Sequence, residues 1–306
     1  MTQPASPESP VACALPDLGV IAVRGPEARK FLNGQLSQDA LALHAERVEL
    51  AGLHNAQGRV LAVLRLVPIG SEDVLCVLPR ELIAETLAVL RRFLLRAKAR
   101  LSDESAQWCL EGLPGDATLP SAVGAARAEG DTTLWRHASD GRVLRLRPVA
   151  GVTMPEDTHP AAAAWRLADI AAGLPQVTAA TRGEFVAQML NLDLLGGISF
   201  TKGCYTGQEV IARAHYRGRV KRRAQRFRTA SPEPLQPGQK LHLQPVGGTP
   251  RSAQVVEVAD SPSGREFLAV AAYATAAEPV CGEPGANGEA VPLAVTVLPL
   301  PYPLPD

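Results

Sequence analysis

Apolar and polar positions follow two different periods along the chain, and each period predicts a different kind of element. Apolar residues recur at helical spacing through PRELIAETLAVLRRFLLR, residues 79–96, which predicts a helix with Pro79 at its first position. A shorter helix is predicted within 25–39. Apolar runs bounded by turn residues predict strands at 19–23, 58–67 and 73–78. Together these units indicate an α+β fold, with helices packed on antiparallel sheets.

The C-terminal part of the chain has a different residue pattern, in which short strand-like runs alternate with Pro and Gly turns. This spacing predicts a small β-barrel at 223–306, following a body of two α+β modules at 15–222. Within the body, 151–175 predicts a loop and then a helix. Residues 1–14 are rich in Pro and polar residues, so we expect them to be disordered.

Charge and composition exclude several classes of protein. The 306 residues include 31 Lys or Arg and 31 Asp or Glu, so no net charge draws the chain to nucleic acid or to an anionic membrane. No apolar run reaches the roughly 20 residues of a membrane helix, and the polar N-terminus is unlike a signal peptide. The five cysteines include no CxxC pair, which argues against a dithiol or zinc site and for a reducing compartment. We therefore expect a cytoplasmic protein with no membrane segment and no tightly bound metal.

The stretch KGCYTGQE, residues 202–209, carries the strongest chemical signal. Thr206 and Glu209 fit a capping box at the start of a helix, with the Thr206 hydroxyl accepting from the Glu209 backbone N–H. Cys204 then lies just before the helix, where the positive end of the helix dipole and the charge of Lys202 favour a thiolate. We expect Cys204 to be a reactive thiol activated by Lys202. The alternative is a small side chain packed in a tight turn.

Two further segments leave alternatives open. Eight Lys and Arg residues lie from Arg213 to Arg228, and they form either a solvated helix end or an anion site for the carboxylates of a ligand or for RNA phosphates. RNA binding is the weaker interpretation, because the run offers Tyr216 and Phe227 alone for stacking on bases. The segment GLHNAQG, residues 52–58, predicts a polar turn that includes His54.

The stretch GGISFTKGCYTGQEVIARAHYRGRVKR, residues 196–222, resembles the signature of the YgfZ family of folate-binding proteins, relatives of the glycine-cleavage T-protein. The likeness extends along most of the chain, through segments that occur in the family's order. These segments are FLNGQLSQD (31–39), NAQGRVLAVLRL (55–66), AAGLPQVT (171–178) and PLPYPL (299–304).

The resemblance implies an aminomethyltransferase-like α+β body with a C-terminal β-barrel around a central opening that binds tetrahydrofolate. It also implies help in assembling or repairing iron–sulfur clusters, with an indirect effect on tRNA modification, and partners among iron–sulfur assembly factors or client enzymes. Cys204 would be the thiol that reacts or contacts a cluster. The folate-binding positions would be Trp165, Gly203, Tyr205, Gly207, Gln208, Glu209 and Arg213.

The chain departs from the related enzymes at positions that matter. The T-protein enzymes carry adjacent aspartates where this chain has Ala62 and Val63, so aminomethyl transfer through that carboxylate is not expected. Leu18 stands where the family has a tryptophan, and Ala171 stands where it has a glutamate that could accept from pterin N–H groups. Asp169, close to Ala171 in sequence, is expected to face elsewhere. A folate-dependent one-carbon transferase that uses another residue remains the alternative function.

Overall fold

The structure, a computed structural model, describes residues 13–149, 159–218, 220–243, 251–272, 280–284 and 290–305. Its helices are α1 (Ala28–Gln35), α2 (Ile83–Leu94), α3 (His159–Ala171) and α4 (Gln208–Tyr216). The strands of the body are β1 (Cys13–Ala14), β2 (Leu18–Arg24), β3 (Glu49–His54), β4 (Val60–Ile69), β5 (Asp73–Pro79), β6 (Arg100–Asp103), β7 (Trp108–Leu113), β8 (Ala126–Glu129), β9 (Thr132–Arg136) and β10 (Val143–Pro148). The C-terminal strands are β11 (Arg222–Thr229), β12 (Lys240–Leu243), β13 (Arg251–Ser261), β14 (Gly264–Ala272), β15 (Val280–Pro284), β16 (Ala290–Leu293) and β17 (Val295–Leu298).

Two antiparallel five-stranded sheets build the body. The first has the order β3-β4-β5-β2-β6 and the second has the order β1-β7-β10-β9-β8. Side chains alternate across β2, so Ile21 and Val23 pack on the side of α1 and α2, while Val20 and Ala22 pack towards the second sheet. The first sheet therefore has a helix-covered face and a face against the second sheet. The predicted α+β architecture with helices on antiparallel sheets is confirmed.

The C-terminal strands form one antiparallel sheet in the order β16-β15-β12-β13-β14-β11-β17. One face holds its own core around Phe227 and Phe267, and the other face packs Val256 and Leu268 against the body. Residue 294 alone separates β16 from β17 in the chain, yet within the described residues the two strands are not hydrogen-bonded to each other. The predicted closed barrel is therefore not confirmed.

Local differences from the predicted elements have simple physical reasons. Pro79 ends β5 instead of starting a helix, because the helical segment opens with a 3-10 turn at Arg80–Leu82. Cys13 and Ala14 pair with β7 and are buried, whereas the rest of the predicted disordered N-terminus lies outside the described residues, as do 151–158 in the predicted loop. Tyr302 in the C-terminal tail donates to the carbonyl oxygen of Gly173 at 2.7 Å, which ties the tail to the body.

Candidate functional site

Helix α4 begins at Gln208, with Gly207 as its N-cap in the left-handed region at φ 81°. The Gln208 side chain reaches back, and its Oε1 accepts from the backbone N–H of Tyr205 at 3.1 Å. No side-chain hydrogen bond caps the helix from Thr206, and the Glu209 carboxylate lies in a surface ion pair one turn along. The predicted Thr206–Glu209 capping box is wrong, because the N-cap is Gly207, which has no side chain to accept a hydrogen bond, and the side chain that reaches back is that of Gln208.

The two glycines of this turn differ in their surroundings. A Cβ atom at Gly207 would lie 2.4 Å from the carbonyl oxygen of Asn55 and 3.1 Å from the Cβ of His54. A Cβ atom at Gly203 would meet nothing within 4 Å. Gly207 is therefore required where the turn rests on the connection between β3 and β4, while Gly203 borders open space.

Lys202 binds this turn to the end of α1 and to the residues that follow it. Its Nζ donates to the carbonyl oxygens of Asn33, Leu36 and Gln38 at 2.5, 2.6 and 3.0 Å, and lies 4.8 Å from the centroid of the Tyr205 ring. Burial lowers the pKa of Lys202 to about 8, against the opposing charge of Asp39. Three carbonyl acceptors use all the hydrogens of the ammonium group, so Lys202 has a structural task here apart from any effect on the neighbouring thiol.

Cys204 is exposed, in contrast to the other cysteines whose side chains are described. Cys13, Cys76 and Cys109 are buried, and burial raises the pKa of Cys76 to about 12. Within the described residues, no group of three or more His, Cys, Asp or Glu side chains is arranged to hold a metal ion. Cys204 is thus accessible to a reagent or a partner, and its predicted reactivity stays a prediction.

His54 is a buried residue at the end of β3, where a polar turn was predicted. Neither ring nitrogen has a hydrogen-bond partner among the residues that the structure describes, and the ring lies 6.2 Å from that of Tyr205. Burial lowers the pKa of His54 to about 3, so the imidazole is neutral. The side chain fills space beneath the turn that carries the thiol.

A central cavity of about 240 Å³ opens between the two body sheets and the C-terminal tail. Its charged lining includes Arg47, which pairs with Glu49 at 2.5 Å, and Arg136, which donates to four backbone carbonyls. Arg65 differs from both, because no described residue accepts a hydrogen bond from its guanidinium. Tyr302 closes another wall. The cavity therefore contains the charged guanidinium of Arg65, whose N–H groups have no acceptor among the described residues.

A buried polar network adjoins Arg65. His137 Nε2 lies 2.9 Å from Asp169 Oδ1, and Arg142 Nη1 lies 2.7 Å from the same oxygen. Burial lowers the pKa of His137 to about 4. Burial alone would raise the pKa of Asp169, but the hydrogen bond from His137 and the charges of Arg142 and Arg65 outweigh it and lower that pKa to about 2. A neutral His137 donates through Nε2 to the carboxylate, which leaves Nδ1 as a buried acceptor without a partner. Asp169 thus belongs to this buried network, and its predicted orientation away from a folate site stays a prediction.

Trp165 lines a small cavity of about 30 Å³ together with Leu18 and Asp169. The indole is 2% exposed, a Cβ atom at Gly112 would lie 2.4 Å from its Cε3 atom, and the guanidinium of Arg142 covers its ring. Leu18 and Trp165, at the two positions that the family resemblance assigns to tryptophans, therefore line one cavity. Neither ring face has room for a stacked pterin in this arrangement.

The predicted site residues fall into two groups on opposite faces of the first sheet. Tyr205 packs on the helix-covered face, and Trp165 lies in the core between the two body sheets. Lys202, Tyr205 and Gln208 are brought together, while the exposed pair of Glu209 and Arg213 lies farther along α4 at 3.2 Å from each other. No predicted residue of 202–213 lines either of the two cavities described above.

Ala62 and Val63, which replace the aspartates of the T-protein enzymes, are buried apolar residues of β4. Part of the basic run is also structural, since Arg226 pairs with Glu266 at 2.6 Å within the C-terminal sheet. Arg223 pairs with Asp193 at 2.8 Å, and Phe227 is buried in the C-terminal core, so it offers no surface for stacking on bases. Within the described residues, no helix combines the length and apolar character that crossing a bilayer requires.

Sequence reasoning missed Arg65, His137 and Tyr302 as residues of the central cavity. Arg65 carried a usable signal, because a single arginine interrupts the apolar run of β4. His137 carried none, since its partner Asp169 is distant in sequence and reaches it only in the folded chain.

Comparison with known proteins places these sites in a family context. No protein-family model matches the chain. A tRNA-modifying protein YgfZ of Serratia proteamaculans (strain 568) is 33% identical over 226 residues, which cover 68% of each chain. An uncharacterized protein of Haemophilus influenzae is 29% identical over 226 residues, covering 74% of this chain and 76% of the relative. The crystal structure of the glycine cleavage system aminomethyltransferase T of Bartonella henselae superimposes with a TM-score of 0.72 at 16% identity, over 95% of this chain and 85% of that one, so the fold is of that type.

Proposed function

Because the chain belongs to the YgfZ family, we propose that it is a tetrahydrofolate-binding accessory protein of iron–sulfur cluster assembly or repair, with an indirect effect on tRNA modification. The central cavity would receive the folate, and Cys204 would react with, or contact, the cluster or its carrier. Partners would be iron–sulfur assembly factors or the enzymes that receive clusters.

The observation that carries the folate half is the guanidinium of Arg65, which lies in the central cavity with no hydrogen-bond acceptor among the described residues. An arginine in this setting favours a carboxylate or a carbonyl oxygen. His137, which lines the same cavity, adds a buried nitrogen acceptor at Nδ1.

These groups fit folate. A pterin ring carries N–H donors and a carbonyl oxygen, and the glutamate tail carries carboxylates. Arg65 would donate to one of these oxygens, and His137 Nδ1, which is enclosed beside the cavity, would accept from the ring in place of the carboxylate that Ala171 lacks once a bound ligand moves the side chains around it. The cavity, about 240 Å³, is smaller than the roughly 300–1,000 Å³ of typical ligand pockets. It would therefore enclose one end of a folate rather than the whole molecule.

T-protein chemistry is not part of this proposal, because the carboxylate that it requires is missing. Aminomethyl transfer in those enzymes needs a carboxylate where this chain has the buried Ala62 and Val63. Binding without that carboxylate is consistent with an accessory role. The exposed thiol of Cys204 supplies a soft nucleophile or ligand, but one thiol cannot hold a cluster, so a partner would complete the set.

Calorimetric titration with tetrahydrofolate tests the folate half. We expect saturable binding, and we expect Arg65→Gln to weaken it by about tenfold or more, as for a lost hydrogen bond to a charged group. Arg59→Gln is the matched control, because Arg59 is exposed at the approach to the same strand. Absence of saturation, or equal affinity in the Arg65 variant, would contradict the proposal.

Complementation tests the iron–sulfur half. Cells lacking the protein should lose activity of iron–sulfur enzymes, and wild type should restore it while Cys204→Ser should not. Equal rescue by Cys204→Ser would remove the thiol from the function.

The T-protein-like fold favours one second candidate, a folate-dependent transferase that acts on aminomethyl or N-methyl substrates with another residue as its base. It predicts methylene-tetrahydrofolate formation with such a substrate. No product across a panel of these substrates would dismiss it.

A further inference from the structure

A groove of about 990 Å³ lies between the body and the C-terminal sheet, outside the central cavity. Its walls are rich in proline and aliphatic side chains, which include Pro16, Pro79, Pro234, Pro237, Leu235 and Val258. A single carboxylate, that of Glu257, combines deep burial with a place on the groove lining among the described residues.

A β-bulge directs Glu257 into this groove. The register between β13 and β14 shifts between Val255 and Glu257, so Val256 and Glu257 both turn towards the body. Glu257 pairs with Leu268, whose side chain packs in the body-facing core, while Val255 faces the opposite core. Regular alternation from Val255 would have pointed the carboxylate into the apolar core of the C-terminal sheet instead.

Glu257 is 7% exposed and forms no ion pair with a described residue. Its Oε2 accepts from the backbone N–H of Gln176 at 3.2 Å. The charged groups that act on it are Asp169 and Arg166 on α3 and Arg65 on β4; burial and the charge of Asp169 raise its pKa to about 8. A buried carboxylate without a cation is costly, and here it borders a space large enough for a ligand.

The basic side chains around the groove are already engaged. Arg166 pairs with Asp17 at 2.9 Å, and Arg265 pairs with Asp260 at 3.4 Å. Arg80 donates to the carbonyl oxygen of Pro16 at 2.9 Å. Each basic side chain in the described lining of the groove therefore has a partner other than Glu257.

We propose that this groove binds a lysine or arginine side chain carried on an extended segment of a partner protein, with Glu257 receiving the cationic group. The aliphatic stem of such a side chain lies along the proline and aliphatic walls, and the charged end reaches the carboxylate. The segment's backbone occupies the remaining length of the groove, which exceeds what one side chain fills.

Titration of isotope-labelled protein with acetyl-Ala-Lys-Ala-amide, followed by NMR, tests the proposal. Saturable shifts are expected at residues around the groove, and Glu257→Gln should weaken binding at least tenfold. Because Glu257 is mostly protonated at pH 6, wild-type affinity should rise about tenfold or more from pH 6 to 8, and the variant should lose this dependence. Glu81→Gln, at an exposed carboxylate on the groove lining, should change affinity less than twofold.

A peptide in which uncharged norleucine replaces the lysine is the control for charge. Three results would overturn the proposal: no saturable shift, equal binding of the norleucine and lysine peptides, or unchanged affinity of the lysine peptide for Glu257→Gln. Free lysine binding as tightly as the peptide would overturn the assignment to a protein segment. Glutamine has nearly the shape of the protonated glutamate, so the variant is expected to fold. Tetrahydrofolate affinity should stay unchanged in it, which separates this site from the central cavity.

Discussion

The guanidinium carbon of Arg142 lies 4.4 Å from the centroid of the Trp165 ring, which it covers inside the body. Arg142 is held there by Asp169 at 2.7 Å and by Asp140 at 2.7 Å. The indole is therefore part of a buried charged network. A stacking surface for folate at this position would require Arg142 to move.

Replacing Trp165 is expected to destabilise the protein strongly. Trp165→Ala removes a buried indole and uncovers Arg142, which should lower the free energy of unfolding by about 3–5 kcal/mol. Urea denaturation at pH 7 measures this change. Trp108→Ala is the control, because Trp108 is only partly buried and should cost less. Equal stability of Trp165→Ala and wild type would show that the indole is not a core residue.

The two glycines beside Cys204 allow a matched test of the turn. Gly207→Ala introduces a Cβ atom 2.4 Å from the Asn55 carbonyl oxygen at φ 81°. We expect it to cost about 2 kcal/mol or more, since left-handed backbone alone costs roughly 1–2 kcal/mol. Gly203→Ala, which enters open space, should stay within about 0.5 kcal/mol of wild type. Thermal unfolding of both variants measures the difference. Similar losses of stability in the two variants would contradict close packing of this turn against the β3–β4 connection.

The sequence predicts the helices and the strands β2, β4 and β5 because these elements bury continuous or helically spaced apolar residues. The other strands of the body were not individually predicted. α2 and β4 are examples, since their patterns leave little alternative. The start of α2 could not be placed from Pro79, because proline also ends a strand well when its nitrogen needs no partner. Closure of a barrel depends on long-range strand pairing, which a local pattern does not encode; within the described residues β16 and β17 are not paired.

Within the candidate site, the sequence predicted the turn around Cys204 but not the contacts between residues distant in the chain. The sequence around Cys204 specified a helix start and an accessible turn, because caps and glycines act over a few residues. The partners of Lys202 are the carbonyl groups at 33, 36 and 38, and backbone acceptors leave no trace in side-chain identity. The meeting of His137 with Asp169 also depends on tertiary packing.

Lys202→Met is expected to loosen the segment after α1. The change removes a charged donor from three carbonyl groups, which should cost about 1.5–3 kcal/mol. Hydrogen exchange at 33–38 should accelerate, because these amides lie in the segment that Lys202 fastens. Lys30→Met is the control, since Lys30 is exposed and its ion pair with Glu27 is 3.8 Å long. Unaltered exchange at 33–38 in Lys202→Met would contradict a fastening role.

Acid should destabilise the protein through its buried neutral histidines. The pKa values of His54 and His137, about 3 and 4, lie below the usual value near 6.5, so the unfolded chain binds more protons as pH falls from 6.5. Stability is therefore lost progressively from pH 6.5 down towards the folded pKa values. His54→Phe removes one titrating group and should reduce the loss between pH 7 and 4.5 by about 2–3 kcal/mol.

Urea unfolding at both pH values measures that loss. His54 has two unpartnered ring nitrogens, so His54→Phe should keep or raise stability at pH 7 if the larger ring is accommodated. His44→Gln, at an exposed position, serves as the control. A pH dependence in His54→Phe as steep as that of wild type would show that His54 charges freely in the folded protein.

Alkylation of the native protein tests the reactivity of Cys204. In a Cys281→Ser background, iodoacetamide should modify one thiol rapidly, and Cys204→Ser should abolish that reaction, because the other described cysteines are buried. Activation by the helix start predicts a rate at pH 7 several-fold above that of the free peptide acetyl-Lys-Gly-Cys-Tyr-Thr-Gly-amide. A native rate equal to or below the peptide rate would mean that exposure, and not activation, distinguishes Cys204. The iron–sulfur half of the proposed function would then lack its nucleophile, while folate binding through Arg65 would stand.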